Sequence, residues 1–172
     1  MPDVDPNLSK VAPFGAEGPA FEPKIVAFFC TWCTYMAADL AGTSRMKYAP
    51  NVRVIRVMCS GRIDPQFVLA AFANGADGVL IGGCHSGDCH YQEGNYNCLR
   101  RVRLLKRVLD ELGIEAERFR LEWISAAEGD RVRVVINDMV EKLKALGPLQ
   151  MKREMMLGGL HPQEHAVQEV CV

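Results

Sequence analysis

Five cysteines of this 172-residue sequence directly follow short apolar segments or the loops that begin there. These residues are Cys30, Cys33, Cys59, Cys84 and Cys89. Thiolate sulfur is a soft donor that binds both iron–sulfur clusters and zinc, and either centre needs about four protein ligands. The pattern therefore predicts a thiolate-ligated metal centre, and iron–sulfur ligation fits these residues best.

Two pairs of these cysteines have the spacing of metal ligands. Only two residues separate Cys30 from Cys33, so one turn at the start of a helix can present both sulfurs, and the helix N-terminus favours the thiolate form. Four residues separate Cys84 from Cys89, in a loop that contains Gly87. Free N–H groups of such a glycine-bearing loop can hydrogen-bond the sulfurs of a cluster.

Four further residues of the third cysteine segment are expected beside the centre rather than as its ligands. They are His85, His90, Gly83 and Gly87. Two histidines can replace two thiolates on one iron, but five cysteines already suffice for a four-ligand centre. We therefore interpret the imidazoles as solvated or as neighbours that tune the centre through hydrogen bonds.

Two other chemistries remain open on the residues alone. Cys30 and Cys33 at a strand–helix junction resemble the dithiol of a thioredoxin-like oxidoreductase, although that function leaves Cys59, Cys84 and Cys89 unexplained. Alternatively, four of the five thiolates could close a tetrahedral zinc site in a purely structural module.

The apolar segments that deliver the cysteines are predicted to be strands of a parallel α/β sheet. Strands are expected at 24–29, 52–58, 78–81 and 119–123, the last with Arg118, Arg120 and Glu122 on a solvent-facing side. Helices are expected at 33–41, 65–74, 96–112 and 126–146. Alternation of strands and helices indicates parallel pairing with right-handed crossovers.

The charge pattern of the strands predicts their order. The strands at 25–29 and 79–81 carry no charge and should be central, whereas those that contain Arg53 and Arg120 should be at the edges. This gives a small flavodoxin-like sheet of order 2-1-3-4 with helices on both faces. Ligands of such sheets bind at the carboxyl ends of the strands where the order reverses, here between the first and third strands.

Composition predicts one domain with two extensions. We expect an N-terminal arm at 1–23, an α/β domain at 24–148 and a Met-rich C-terminal docking tail at 149–172. A net charge of −1 gives no reason to expect nucleic acid as a partner. With neither an export signal nor a membrane-spanning run, and with an odd number of cysteines, a cytoplasmic protein with reduced thiols is expected.

Several fixed motifs of the chain resemble the iron–sulfur (delta) subunit of methyl-viologen-reducing hydrogenase, found with heterodisulfide reductase in methanogens. The resemblance extends from about Pro23 to Pro148. It rests on the motifs at 30–33, 38–42, 57–62, 82–91 and 121–125. Within these motifs the family's cysteines fall on Cys30, Cys33, Cys59, Cys84 and Cys89, and the motifs do not tell which four bind the cluster.

The resemblance implies a 2Fe–2S cluster and a role as an electron relay that makes or breaks no substrate bond. Electrons from a hydrogenase or formate dehydrogenase module would cross this protein to the flavin-containing subunit of heterodisulfide reductase. The basic side of the helix at 96–112, which includes Arg103 and Arg107, is either a solvated face or a docking surface for an acidic partner.

Overall fold

The structure, a computed structural model, describes residues 21–150 as one parallel α/β sheet with helices on both faces. The strands are β1 (Ile25–Cys30), β2 (Val52–Val57), β3 (Gly78–Gly83) and β4 (Phe119–Trp123). All neighbours pair in parallel and the order is β2-β1-β3-β4. The predicted sheet and its order are thus confirmed. Most of the predicted arm and the tail beyond Gln150 lie outside the described residues.

Four α-helices cover the sheet. They are α1 (Thr34–Thr43), α2 (Pro65–Ala73), α3 (Gly94–Glu111) and α4 (Gly129–Leu146). Helix α2 begins as predicted, because Asp64 accepts a hydrogen bond from the Gln66 amide and Pro65 occupies the first turn. Helix α3 begins two residues earlier than predicted, at Gly94, and α4 begins three residues later, at Gly129.

The central strands are buried because each face of the sheet packs against two helices. On one face, β1 and β3 side chains such as Phe28 and Ile81 pack with α2 and α3. On the other face, Phe29 and Leu80 pack with α1 and α4. Every residue of β3 is buried, as expected for a middle strand of a parallel sheet.

One prediction about β4 is wrong. Arg118 does not lie on a solvent-facing side, since only 1% of it is exposed. Its guanidinium donates to the carbonyls of Asp77 and Gly147 and pairs with Glu115. Three acceptors satisfy the buried cation, so an arginine that follows the polar period of the strand is instead part of the interior.

Asp77 joins the two chain ends at the amino edge of the sheet. Its carboxylate accepts hydrogen bonds from the backbone N–H groups of Lys24, just before β1, and of Leu149, just after α4. Both ends of the α/β unit are therefore held at the edge opposite to the cysteines. None of the helices between residues 21 and 150 is long and apolar enough to cross a membrane.

Candidate metal centre

All five predicted cysteines lie at the carboxyl edge of the sheet, around the ends of β1, β2 and β3. Cys30 is the last residue of β1, Cys59 follows β2 and Cys84 follows β3. Cys33 precedes α1, and Cys89 ends the loop between β3 and α3. Each of these residues is buried. The topology therefore brings together side chains that are up to 59 positions apart.

Three of the thiols form a compact group. The sulfurs of Cys30, Cys33 and Cys84 lie within 4.8 Å of one another, and the Cys30 and Cys84 sulfurs are 3.9 Å apart. Cys30 and Cys84 follow neighbouring strands, so their closeness comes from the parallel β1–β3 pairing. Three sulfurs at this spacing are arranged to bind a metal ion together.

The other two thiols form a pair. The sulfurs of Cys59 and Cys89 are 3.9 Å apart. Cys59 caps the short 3₁₀ helix Ser60–Arg62 by accepting a hydrogen bond from the Gly61 amide at 3.4 Å. A strand end and the loop before α3 thus bring this pair to the same edge of the sheet as the group of three.

Hydrogen bonds divide the charge unequally within the group of three. The Cys33 thiol, as donor, lowers the pKa of Cys30 to about 5, which outweighs the opposing effect of burial. The same contact with Cys30, together with burial, raises the pKa of Cys33. Burial raises the pKa of Cys84 to about 11. One thiolate flanked by two thiols is the form that an empty site favours.

The pair contains a second thiolate position. Burial raises the pKa of Cys59. Burial acts in the same direction on Cys89, but backbone N–H groups of Tyr91, Asn95 and Gly94 together bring its pKa below the ordinary value. Gly94 and Asn95 open α3, so the amino end of an 18-residue helix is directed at this sulfur.

Gly94 packs against the pair without space for a side chain. A Cβ at this position would lie 3.1 Å from the Cys89 sulfur and would overlap the Cys59 sulfur. The same glycine backs onto Gly61, where an added Cβ would come within 2.8 Å of the Gly94 carbonyl oxygen. Two glycines therefore allow the 3₁₀ turn after Cys59 and the start of α3 to meet around both sulfurs.

Asn95 fastens the cysteine loop to α3. Its amide nitrogen donates to the carbonyls of Cys84, at 3.3 Å, and of His85, at 2.8 Å, while its own oxygen accepts from the Tyr96 amide. Only 2% of Asn95 is exposed. The sequence pattern predicted a helix start at Tyr96, so both Gly94 and Asn95 were missed as residues of the site.

The two histidines lie beside the cysteines, and each makes a contact of its own. His85 Nε2 is 2.7 Å from Glu128 Oε2, and that carboxylate also accepts from the Ser125 amide. The hydrogen bonds from Ser125 and His85 lower the pKa of Glu128. The His90 ring stacks on Trp32 at 3.8 Å between centroids, which joins the turn between Cys30 and Cys33 to the loop that ends at Cys89.

The two glycines predicted near the centre have different structural roles. Gly83 is the last residue of β3, and a Cβ there would lie 2.7 Å from the Trp123 ring and 3.0 Å from Ser60 Oγ. Gly87 has a φ of +91°, which makes the turn between Cys84 and Cys89. Gly83 thus permits close packing behind the cysteines, whereas Gly87 shapes their loop.

Two hydroxyl groups among the cysteines are buried and lack a hydrogen-bond partner within residues 21–150. They belong to Thr31 and Ser60. Ser60 is fully buried and directly follows Cys59, and its backbone N–H also helps to lower the pKa of Cys30. Buried hydroxyls are normally hydrogen-bonded, so two unpaired ones among five thiols indicate that the site accommodates a group that can accept hydrogen bonds.

The remaining cysteines are separate from this arrangement. Cys98 is buried on α3 within the α2/α3 side of the core, and burial raises its pKa to about 12. It belongs to neither the group of three nor the pair. Cys171 lies outside the described residues.

Comparison with known proteins identifies relatives that share nearly the whole domain. A family model described as methyl-viologen-reducing hydrogenase, delta subunit, matches residues 25–147. The vhc iron-sulfur subunit of the F420-non-reducing hydrogenase of Methanococcus voltae is 61% identical over 132 residues, which are 77% of this chain and 92% of the relative. The corresponding iron-sulfur subunit of the F420-non-reducing hydrogenase of Archaeoglobus profundus is 55% identical over 133 residues, which are 77% of this chain and 97% of that protein.

A third relative is a much longer protein. It is a subunit of the Ferredoxin/F(420)H(2)-dependent CoB-CoM heterodisulfide reductase of Methanosarcina acetivorans, 49% identical over 140 residues, which are 80% of this chain but 18% of that protein. The matched family region runs from the start of β1 to the end of α4 and includes all five clustered cysteines. The chain belongs to the family of the methyl-viologen-reducing hydrogenase delta subunit.

Proposed function

We propose that this chain is an electron-transfer subunit that holds a 2Fe–2S cluster at the carboxyl edge of its sheet. The observation that carries the proposal is the division of five buried thiols into a group of three and a pair. Such a cluster takes four thiolates, two on each iron, and exchanges one electron. Cys59 and Cys89 would bind one iron, and two residues of Cys30, Cys33 and Cys84 would bind the other.

The chain's own residues suit a buried, negatively charged group. Cys30 and Cys89 are the cysteines whose pKa lies below the ordinary value, so each half of the site contains one favoured thiolate. Backbone N–H groups from the 3₁₀ turn and from α3 supply donors, and the unpaired hydroxyls of Ser60 and Thr31 add two more. Burial of all five cysteines keeps water from the ligands.

The same geometry disfavours the two rival functions. A dithiol enzyme needs an accessible nucleophilic thiolate, yet Cys30 is only 1% exposed. A closed zinc site would use the group of three and one cysteine of the pair. It would leave the other member of the pair, together with two hydroxyl donors, without a role.

We further propose that the protein passes electrons from a hydrogenase or formate dehydrogenase module to the flavin-containing subunit of heterodisulfide reductase. The names of the hydrogenase relatives support the donor, and the heterodisulfide reductase relative supports the acceptor, since part of that protein is 49% identical to this chain. A domain that one protein carries within its own chain is a reasonable separate subunit in another. The unpaired cysteines of the described residues support a cytoplasmic location.

The test is metal analysis of anaerobically purified protein and of five single Cys→Ala variants. About two irons and two sulfides per chain, with a spin-half resonance after reduction, are expected for the wild-type protein. Loss of the cluster is expected in Cys59→Ala, in Cys89→Ala and in two of the other three variants. One zinc per chain without sulfide would overturn the cluster, and iron-free disulfide reductase activity that survives Cys84→Ala would overturn the relay.

A further inference from the structure

The outer edge of β2 is a strand edge that no described strand covers. β2 is the last strand of the sheet order, and it pairs only with β1. The Ile25 amide donates to Asn51 and the Thr31 amide donates to Val57, so the backbone groups of Arg53, Ile55 and Val57 face β1. The N–H and C=O groups of the alternate residues Val52, Val54 and Arg56 therefore point away from the sheet.

Apolar side chains accompany this free edge. Val54 and Ile55, on opposite faces of β2, are 42% and 46% exposed. Beside Ile55 a groove of about 980 Å³ separates β2 from α2. Its apolar lining consists mainly of Val26, Phe28, Ile55, Phe67, Ala70 and Ala71. Proteins usually protect long apolar edge strands, so an open edge with a groove beside it is typical of a surface that receives another segment.

The charges around the edge indicate what that segment carries. Between Asp39 and Asp64 the chain has five basic residues and no acidic one, although its net charge is −1. The five are Arg45, Lys47, Arg53, Arg56 and Arg62. None of them forms an ion pair with another residue in 21–150. On β2 itself, Arg53 and Arg56 lie on opposite faces of the strand.

We propose that the free edge of β2 and the adjoining groove bind an extended, carboxylate-bearing segment of a partner protein, which adds a fifth strand to the sheet. Main-chain hydrogen bonds to Val54 and Arg56 would fix the added strand. Its acidic side chains would meet Arg53 and Arg56, and an apolar side chain would enter the groove at Ile55. A second copy of this chain is disfavoured, because two basic edges would face each other.

This surface is separate from the metal centre. The groove opens towards the amino end of the sheet and is lined by Lys24, Asn74 and Ala76, whereas the cysteines are at the carboxyl edge. The inference relies on the proposed function only in assuming that the chain works in a protein complex. Cluster content and edge binding can therefore be measured independently, and either can fail while the other holds.

The experiment compares hydrogen exchange in the isolated full chain and in the complex purified through a tag on this chain. In the isolated chain the amides of Val54 and Arg56 should exchange quickly, while those of Arg53 and Ile55, which bond to β1, exchange slowly. In the complex the first two amides should become protected. Iron and sulfide are measured in the same samples, so failure of the cluster is distinguished from failure of the edge.

Two variants test the chemistry of binding. Arg53→Glu/Arg56→Glu should weaken recovery of the partner at least about tenfold by charge repulsion. Val54→Pro removes an outward-facing N–H without touching the β1 ladder, and it should also abolish the protection. Arg103→Glu/Arg107→Glu, on the exposed side of α3, is the matched charge control and should leave the partner bound.

Several results would overturn the proposal. One is a complex in which the Val54 and Arg56 amides exchange as fast as in the isolated chain. Another is equal loss of partner in the α3 control. Protection already present in the isolated chain would also overturn it. If deletion of residues 1–20 or 151–172 removed that protection, the occupant would be the chain's own segment. If dilution removed it, the occupant would be a second copy.

Discussion

Gly94 lies against the sulfur of Cys59 with no room for a side chain between them. We expect Gly94→Ala to push the first turn of α3 away from Cys59 and Cys89, because a Cβ would overlap one sulfur and crowd the other. Overpacking of this kind costs about 1–3 kcal/mol. The folded protein should therefore be purified with much less iron than the wild type, as measured by metal analysis beside far-ultraviolet circular dichroism.

Gly42→Ala is the matched control for that change. Gly42 lies in α1, and a Cβ there would have no atom within 4 Å. Alanine in a helix is favoured over glycine by about 0.5–1 kcal/mol, so this variant should keep its iron and unfold at an equal or slightly higher denaturant concentration. Equal iron in the two variants would contradict the role assigned to Gly94.

Asn95 gives a second prediction, because it holds the cysteine loop by two backbone carbonyls. Asn95→Ala leaves the carbonyls of Cys84 and His85 without this donor, at a cost of about 1–3 kcal/mol for a buried unpaired group. We expect faster hydrogen exchange over residues 84–90 and faster loss of metal to a chelator. Asn97→Ala, on the same helix, removes an amide that only accepts from Arg100 and should change neither rate.

The order of the sheet could be predicted from the sequence because burial determines composition along each strand. Strands β1 and β3 contain no charged residue and are central, while Arg53 and Arg120 mark the two edge strands. Alternation failed at Arg118, which follows the polar period of β4 yet is buried. Its acceptors include carbonyls from Asp77 and Gly147, and no local pattern reveals partners 41 and 29 positions away.

The metal centre could be predicted only as a set of residue types. Strand ends that carry cysteine indicated which thiols would meet, but their division into three and two depends on register and on how the loops fold. Gly94 and Asn95 contribute through a close backbone approach and a side-chain hydrogen bond across the loop, for which their residue types give little signal. The glycine–asparagine pair just before an amphipathic stripe was the local marker of the true helix start, but the apolar spacing favoured Tyr96.

Arg118 gives a third prediction, about stability alone. Arg118→Met removes the donor to the carbonyls of Asp77 and Gly147, and each carbonyl left buried and unpaired costs about 1–3 kcal/mol. Because this cluster of hydrogen bonds lies at the amino edge of the sheet, the cysteine site should be unaffected. We expect a clear fall in the denaturant midpoint with unchanged iron content.

Arg133→Met is the control for that substitution. Arg133 lies on α4, and its side chain is 45% exposed in a 3.4 Å pair with Asp130. Surface pairs of this kind contribute about 0–1 kcal/mol, so the denaturant midpoint should move little. A midpoint shift as large as that of Arg118→Met would mean that burial of Arg118 does not determine its contribution.

The last prediction concerns Ser60, whose hydroxyl is buried among the cysteines without a partner in the described part of the chain. Hydrogen bonds to the sulfurs of an iron–sulfur centre stabilise its reduced, more negative state. If Ser60 donates to such a centre, Ser60→Ala removes that stabilisation and should lower the midpoint potential while iron and sulfide contents stay at the wild-type level. Ser86→Ala, at an exposed position of the cysteine loop, should leave the potential unchanged. The potential is measured by redox titration with the reduced spin-half signal as the readout. A potential that stays the same in Ser60→Ala would show that the hydroxyl points away from the centre, and a more positive one would show that the hydroxyl destabilises the reduced state.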